Sequence, residues 1–136
     1  MTLTLIDDHR VLDLLTNPRA AKTGGYATTC SWWWRLASAL SGSRRGALSR
    51  RTAGFDPAAR EALLATVGRL REHLVIVDLG DLIPAMAVLS RIQPLNQLAA
   101  EAIVAAEVLE APIEVAIDTP PIRSLAATRG VPYRVV

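Results

Sequence analysis

Leu3-Thr4-Leu5-Ile6-Asp7-Asp8-His9-Arg10-Val11-Leu12-Asp13-Leu14-Leu15-Thr16 joins a short apolar run to an amphipathic stretch through two adjacent carboxylates. Leu3 to Ile6 reads as a strand. Val11, Leu12, Leu14 and Leu15 then recur at the spacing of one helix face, which predicts a helix from about His9 to Thr16. Asn17-Pro18 stops it. A strand running straight into a helix is half of a parallel β–α–β unit, which predicts the same alternation along the rest of the chain.

The alternation recurs. Gly24-Gly25 marks a turn, Tyr26-Ala27-Thr28 a brief extended piece, and Thr29 or Ser31 caps a helix running to Leu40. Ser41-Gly42-Ser43 ends that helix, and the arginine-rich stretch to Gly54 reads as a loop. Asp56-Pro57 starts a helix that continues to about His73. Leu74-Val75-Ile76-Val77 has the pattern of a strand covered on both faces. Asp81 caps a helix over Leu82 to Ile92, and Pro94 or Leu95 opens a longer one to Glu110. Ile113 to Ile117 is a further strand ending at Asp118; Pro121 to Thr128 is a short helix stopped by Gly130, and Tyr133 to Val136 is the last strand. The pattern predicts an α/β fold, a mostly parallel sheet of four or five strands with helices on both faces, in one domain over residues 1–136.

Composition narrows the class. A chain of 136 residues, 51% of them hydrophobic, can bury a core, which argues against disorder. No apolar run reaches the roughly 18 residues of a membrane span, and the first residues lack the pattern of a secretion signal, so a cytoplasmic protein without a membrane partner is expected. Cys30 is the only cysteine, which excludes an internal disulfide and a cysteine-rich zinc site. The formal net charge is only +2, but Arg44, Arg45, Arg50 and Arg51 crowd one stretch.

In parallel sheets ligands bind at the carboxyl ends of the strands. Asp7 and Asp8 stand at the end of the first strand and Asp118 at the end of a later one, which predicts a shared acidic rim. Each residue has a plainer reading. Asp7 and Asp8 suit a helix N-terminus, Asp118 suits a turn before Thr119-Pro120-Pro121, and Glu101 alone reads as a solvated helix position. His9 reads as a helix-start residue, His73 as a residue near a helix C-terminus, and Cys30 as a small buried or interface side chain. Gly24-Gly25 is too sparse for the phosphate-cradling loop of a flavodoxin-like nucleotide binder.

Glu101 to Leu109, then Ala111-Pro112, an apolar strand, Asp118 and Gly130-Val131-Pro132-Tyr133-Arg134-Val135-Val136 together resemble the end of a PIN domain. Asp8 with Val11-Leu12 and Leu14-Leu15 is similar to that family's beginning, and Trp34-Arg35-Leu36-Ala37-Ser38-Ala39-Leu40 to its second-helix motif. The resemblance implies a PIN-like three-layer sandwich related to metal-dependent ribonucleases of toxin–antitoxin type. It implies Mg²⁺ or Mn²⁺ held by Asp8, Glu101 and Asp118, with Asp7 as the alternative to Asp8, and RNA and an antitoxin-like protein as partners. Hard cations of this kind prefer oxygen ligands and can activate water against a phosphodiester.

Two positions depart from the family pattern. Arg35 stands where the family has a glutamate, and Arg10 replaces a small polar residue. A guanidinium cannot ligate a cation. Arg35 is therefore expected to act as an internal counter-ion, which implies weakened or lost nuclease activity; the alternative is a non-catalytic RNA- or protein-binding module. Arg10, Arg35, Arg44 and Arg45 are the candidate phosphate or RNA contacts. Trp32-Trp33-Trp34 point about 100° apart on a helix, so one or two reach the core and at least one stays at the surface. They mark an expected interface, in a homodimer or with another partner, with base stacking as the weaker reading.

Overall fold

The computed structural model describes residues 2–17, 19, 25–42 and 46–136. Pro18, Gly24, Ser43 and the candidate phosphate contacts Arg44 and Arg45 lie outside the described residues. Five strands form one sheet: β1 (Leu3–Ile6), β2 (Gly25–Thr29), β3 (Val75–Val77), β4 (Ile113–Val115) and β5 (Tyr133–Val135). Their order is β3-β2-β1-β4-β5, and every pairing is parallel. The helices are α1 (Asp8–Thr16), α2 (Cys30–Leu40), α3 (Ala47–Thr52), α4 (Pro57–Gly68), α5 (Leu79–Ile92), α6 (Gln97–Leu109) and α7 (Pro120–Arg129), with a 3₁₀ turn at Leu70–Glu72.

Parallel strands need crossovers of one hand, and that places the helices. The chain moves outward from β1 to β3, then returns to β4 and continues outward to β5 on the opposite side. Two apolar clusters result, one on each face of the sheet. Ile6, Val11, Leu12, Leu36, Leu40, Val67 and Leu70 pack α1, α2 and α4 on one face. Leu5, Leu82, Met86, Ile103, Ile122 and Leu125 pack α5, α6 and α7 on the other. Leu5 and Ile6 point to opposite faces, as neighbouring strand residues do. The three-layer α/β/α expectation holds, with all five strands parallel. No helix among the described residues is long and apolar enough to cross a membrane.

Several boundaries differ from the sequence reading, each for a local reason. The arginine-rich stretch contains α3 rather than a continuous loop. Leu48 and Thr52 bury one side of α3, and Arg51 Nη2 donates to Asp13 Oδ1 at 2.6 Å, tying it to α1. Arg51→Ala is accordingly expected to speed amide exchange over Ala47–Thr52 while leaving exchange in the sheet unchanged. Asp78, not Asp81, caps α5, accepting from the Gly80 N–H at 2.8 Å, so that helix begins at Leu79. Asn96 caps α6 in the same way, and neither Pro94 nor Leu95 opens it. Helix α4 stops at Gly68, short of His73. Strand β3 is not covered on both faces; it is an edge strand, and Val75 is 44% exposed. The three tryptophans divide as expected: Trp32 is buried, Trp33 half-buried and Trp34 exposed.

Candidate functional site

The reversal in strand order falls between β1 and β4, so their carboxyl ends flank the crevice where such sheets place ligands. Asp7 closes that crevice from within. Its carboxylate caps α1 by accepting from the Arg10 N–H at 2.9 Å and also accepts from the N–H groups of Ala116 at 3.1 Å and Ile117 at 3.3 Å. These bonds consume the backbone donors just beyond Val115, where β4 ends instead of reaching Ile117. Burial raises the pKa of Asp7 against the lowering effect of those three hydrogen bonds. Asp7 is thus committed to the fold, and the helix-cap reading is the one that describes it.

Asp8 faces differently. It is 2% exposed; its Oδ1 accepts from the His9 N–H at 2.9 Å, and its Oδ2 accepts no hydrogen bond. Arg35 Nε lies 3.2 Å from that Oδ2, close enough for an ion pair but without hydrogen-bond alignment. Burial pushes the Asp8 pKa up to about 6; Arg35 opposes the shift and neighbouring Asp7 adds to it. Desolvation wins because a carboxylate this enclosed loses its water on every side, while Arg35 remains partly in solvent.

Glu101 comes from the opposite layer. In α6 the positions from Ala99 to Ala106 are all buried, and Glu101 is the one charged residue among them. Oε2 accepts from the Ser31 N–H at 3.4 Å, at the N-terminus of α2, and Oε1 accepts no hydrogen bond. Gln97, one turn earlier on α6, donates to Ser31 Oγ at 3.2 Å. Ser31 and Arg35 are one turn apart on α2, so the side of α2 that meets Glu101 also carries the cation paired with Asp8. The solvated reading of Glu101 is corrected. It is fully enclosed.

Asp118 does not join this group in its contacts. Its carboxylate is bound by the Arg123 guanidinium and accepts from the Tyr133 hydroxyl at 2.9 Å; the same hydroxyl accepts from the Thr119 N–H. These partners hold it toward α7 and β5. Arg10 is likewise not paired with Asp8: its guanidinium lies 3.8 Å from Glu114 and 3.9 Å from Asp13. Glu114, buried in β4 and also paired with Arg134, was hidden in the sequence inside an apolar strand. Arg51 Nη1 sits 3.1 Å from His9 Nδ1, and burial followed by the Arg51 charge lowers the His9 pKa.

The donor set does not fit Mg²⁺ or Mn²⁺. Asp8 and Glu101 each present a buried oxygen that a cation would satisfy, but Arg35 already places positive charge on the Asp8 oxygen. The third expected ligand, Asp118, is occupied by Arg123 and Tyr133. Among the described residues no three His, Cys, Asp or Glu side chains are gathered as a metal site requires.

A second feature lies on α2. Cys30, Trp33, Trp34, Ala37 and Gly68 line an almost wholly apolar groove of about 290 Å³. Trp33 is fixed by donating from its indole N–H to the Val67 carbonyl at 2.8 Å, and the Arg71 guanidinium lies 5.6 Å from its ring centroid. Trp34 is 65% exposed beside it. No family model matches this chain, and no curated protein matches it either.

Proposed function

We propose that this chain is a PIN-like domain, related to metal-dependent ribonucleases of toxin–antitoxin type, whose nuclease activity is weakened or lost and which works by binding RNA or a protein partner. The observation that carries this reading is the Arg35–Asp8 pair, which puts a fixed cation on the carboxylate that a catalytic metal would need. Arg35 Nε stands 3.2 Å from the Asp8 carboxylate, so an incoming dication meets both repulsion, screened in part because Arg35 is 36% exposed, and a ligand already engaged. The groove at Trp33 and Trp34 supports the binding half of the proposal, because exposed tryptophan beside a shaped apolar surface is typical of interface anchors.

The test is a gain of function. Arg35→Glu replaces the counter-ion with a second carboxylate beside Asp8, on the helix whose Ser31 meets Glu101. The variant is expected to cleave single-stranded RNA oligonucleotides in Mn²⁺ at least tenfold faster than the unaltered protein. Equal cleavage by both proteins, abolished by Asp8→Asn, would overturn the reading. Trp34→Ala is expected to leave the melting temperature within about 2 °C, because Trp34 is mostly exposed and packs little core.

A further inference from the structure

Ser31 and Arg35 form the side of α2 that meets the acidic site; a second face of the same helix lies beside it. Cys30, Trp33, Trp34 and Ala37 follow one another at spacings of three, one and three, which puts them on one helix face. With Gly68, the last residue of α4, they line the apolar groove of about 290 Å³. Its lining is therefore two indole rings and three small residues. A Cβ built at Gly68 would meet no heavy atom within 4 Å, so the glycine leaves that space open. Trp33 is already held by its bond to the Val67 carbonyl, and a ring laid against it orders little that is not ordered beforehand.

Size and charge say what the groove takes. Its volume is at the lower end of small-ligand sites, which run from roughly 300 Å³ upward, and suits one ring system better than a protein face. The lining offers almost no polar group, whereas a peptide backbone laid there would need partners for its N–H and C=O groups. The faces of a planar ring need none, and they stack on tryptophan. Arg71 supplies the charge. It is exposed, its guanidinium stands 5.6 Å from the Trp33 ring centroid, and it has no ion-pair partner among the described residues. Arg69 beside it is paired with Glu72 at 3.6 Å, so Arg71 is the unbalanced cation of that segment. A flat ring joined to an anion complements this arrangement, and a nucleotide has both.

We infer that the α2 groove binds a nucleotide, its base stacked on Trp34 and Trp33 and its phosphate held by Arg71. The inference rests on the binding half of the proposed function and takes nothing from the acidic site. A base joined to its phosphate is supplied equally by a free mononucleotide and by an unpaired residue of RNA. One stacked base and one screened ion pair support a dissociation constant on the order of 0.5 mM.

NMR of the three indole N–H groups, titrated with AMP and with UMP to 10 mM, tests it. Both nucleotides are expected to move the Trp33 and Trp34 signals saturably and to leave that of buried Trp32 in place. Adenosine, lacking the phosphate, is expected to bind at least threefold more weakly, and Arg71→Ala to erase that difference. Gly68→Leu, which fills the open space, and Trp34→Ala are each expected to weaken AMP at least tenfold, with circular dichroism confirming that both are folded. Trp34→Phe keeps a ring and is expected to stay within threefold. An adenylate octamer bound more tightly than AMP identifies unpaired RNA as the source; one bound no more tightly identifies the free nucleotide. The absence of a saturable shift with either nucleotide overturns the proposal, as does a shift that Gly68→Leu and Trp34→Ala leave unchanged. An octamer bound with full affinity by both variants also overturns it, while the binding reading of the chain survives.

Discussion

Asp8→Asn is expected to stabilise the protein at pH 8, by about 1–3 kcal/mol, and to flatten its stability between pH 4 and pH 7. Asp8 titrates near 6 in the folded chain against 3.8 for an unperturbed aspartate. Well below pH 3.8 it is protonated in both states and costs nothing. As the pH rises from 4 through 6 the unfolded chain releases this proton first, so folding becomes progressively less favourable. At about 1.4 kcal/mol per pKa unit, the full difference approaches 3 kcal/mol once the pH is well above 6. Asparagine keeps an oxygen for the His9 N–H and carries no charge to desolvate. The pKa near 6 already includes the attraction of Arg35, so the full difference is the ceiling of the gain. Urea denaturation of both proteins at pH 4.5, 6 and 8 checks this. A variant less stable than the unaltered protein at pH 8 would mean that the Arg35 pair outweighs desolvation.

Asp7→Ala is expected to do the opposite and destabilise by about 2–4 kcal/mol at neutral pH. The change removes a helix cap, worth roughly 1 kcal/mol, together with the acceptor for two N–H groups beyond β4. The same bonds fix the turn that leads to Asp118. Amide exchange at Ala116 and Ile117 is therefore expected to accelerate well beyond the global effect. Asp7→Asn, which keeps one acceptor of similar shape, is expected to lose less than half as much. Equal losses from both variants would show that the charge, and not the hydrogen-bond geometry, is what Asp7 supplies. Two adjacent aspartates thus answer the same conservative change with opposite signs, because one is saturated by donors and the other is not.

The sequence carried the architecture because strand and helix periodicities are local. The apolar run Leu3–Ile6 and the helix face Val11–Leu15 needed no distant information, and Asp56-Pro57 announced α4 by cap chemistry alone. What it could not carry was anything decided by partners far along the chain. Helix α3 forms because Leu48 and Thr52 find a buried site and Arg51 finds Asp13, none of which is encoded in the arginine-rich stretch itself. Strand β4 ends early because Asp7, more than a hundred residues before it, takes its donors.

The candidate site was legible as residue types and not as pairings. Asp8 and Arg35 are both legible as site residues in the sequence, and they do meet. Asp118 and Arg10 stand out in the sequence as well, but Arg123 with Tyr133 claims the first and Glu114 with Asp13 the second. Five residues separate Arg123 from Asp118 across the start of a helix, a spacing with too many alternatives to read as a pair. Glu101 alone reads as a solvated helix position, whereas α6 lies between α5 and α7 over the sheet and has almost no exposed side along Ala99–Ala106. A charged residue inside such an alanine-rich run was the available signal.

The central claim is that Arg35 holds the place of a metal beside Asp8. Thermal denaturation of the unaltered protein at pH 7.5, titrated with Mn²⁺ to 10 mM, tests it most directly, because a ligand bound only to the folded state raises its stability by about 2.7 kcal/mol at a hundred times the dissociation constant. No saturable rise in melting temperature is expected for the unaltered protein, and a clear one for Arg35→Glu. A saturable rise of 5 °C or more in the unaltered protein, absent in Asp8→Asn, would contradict it.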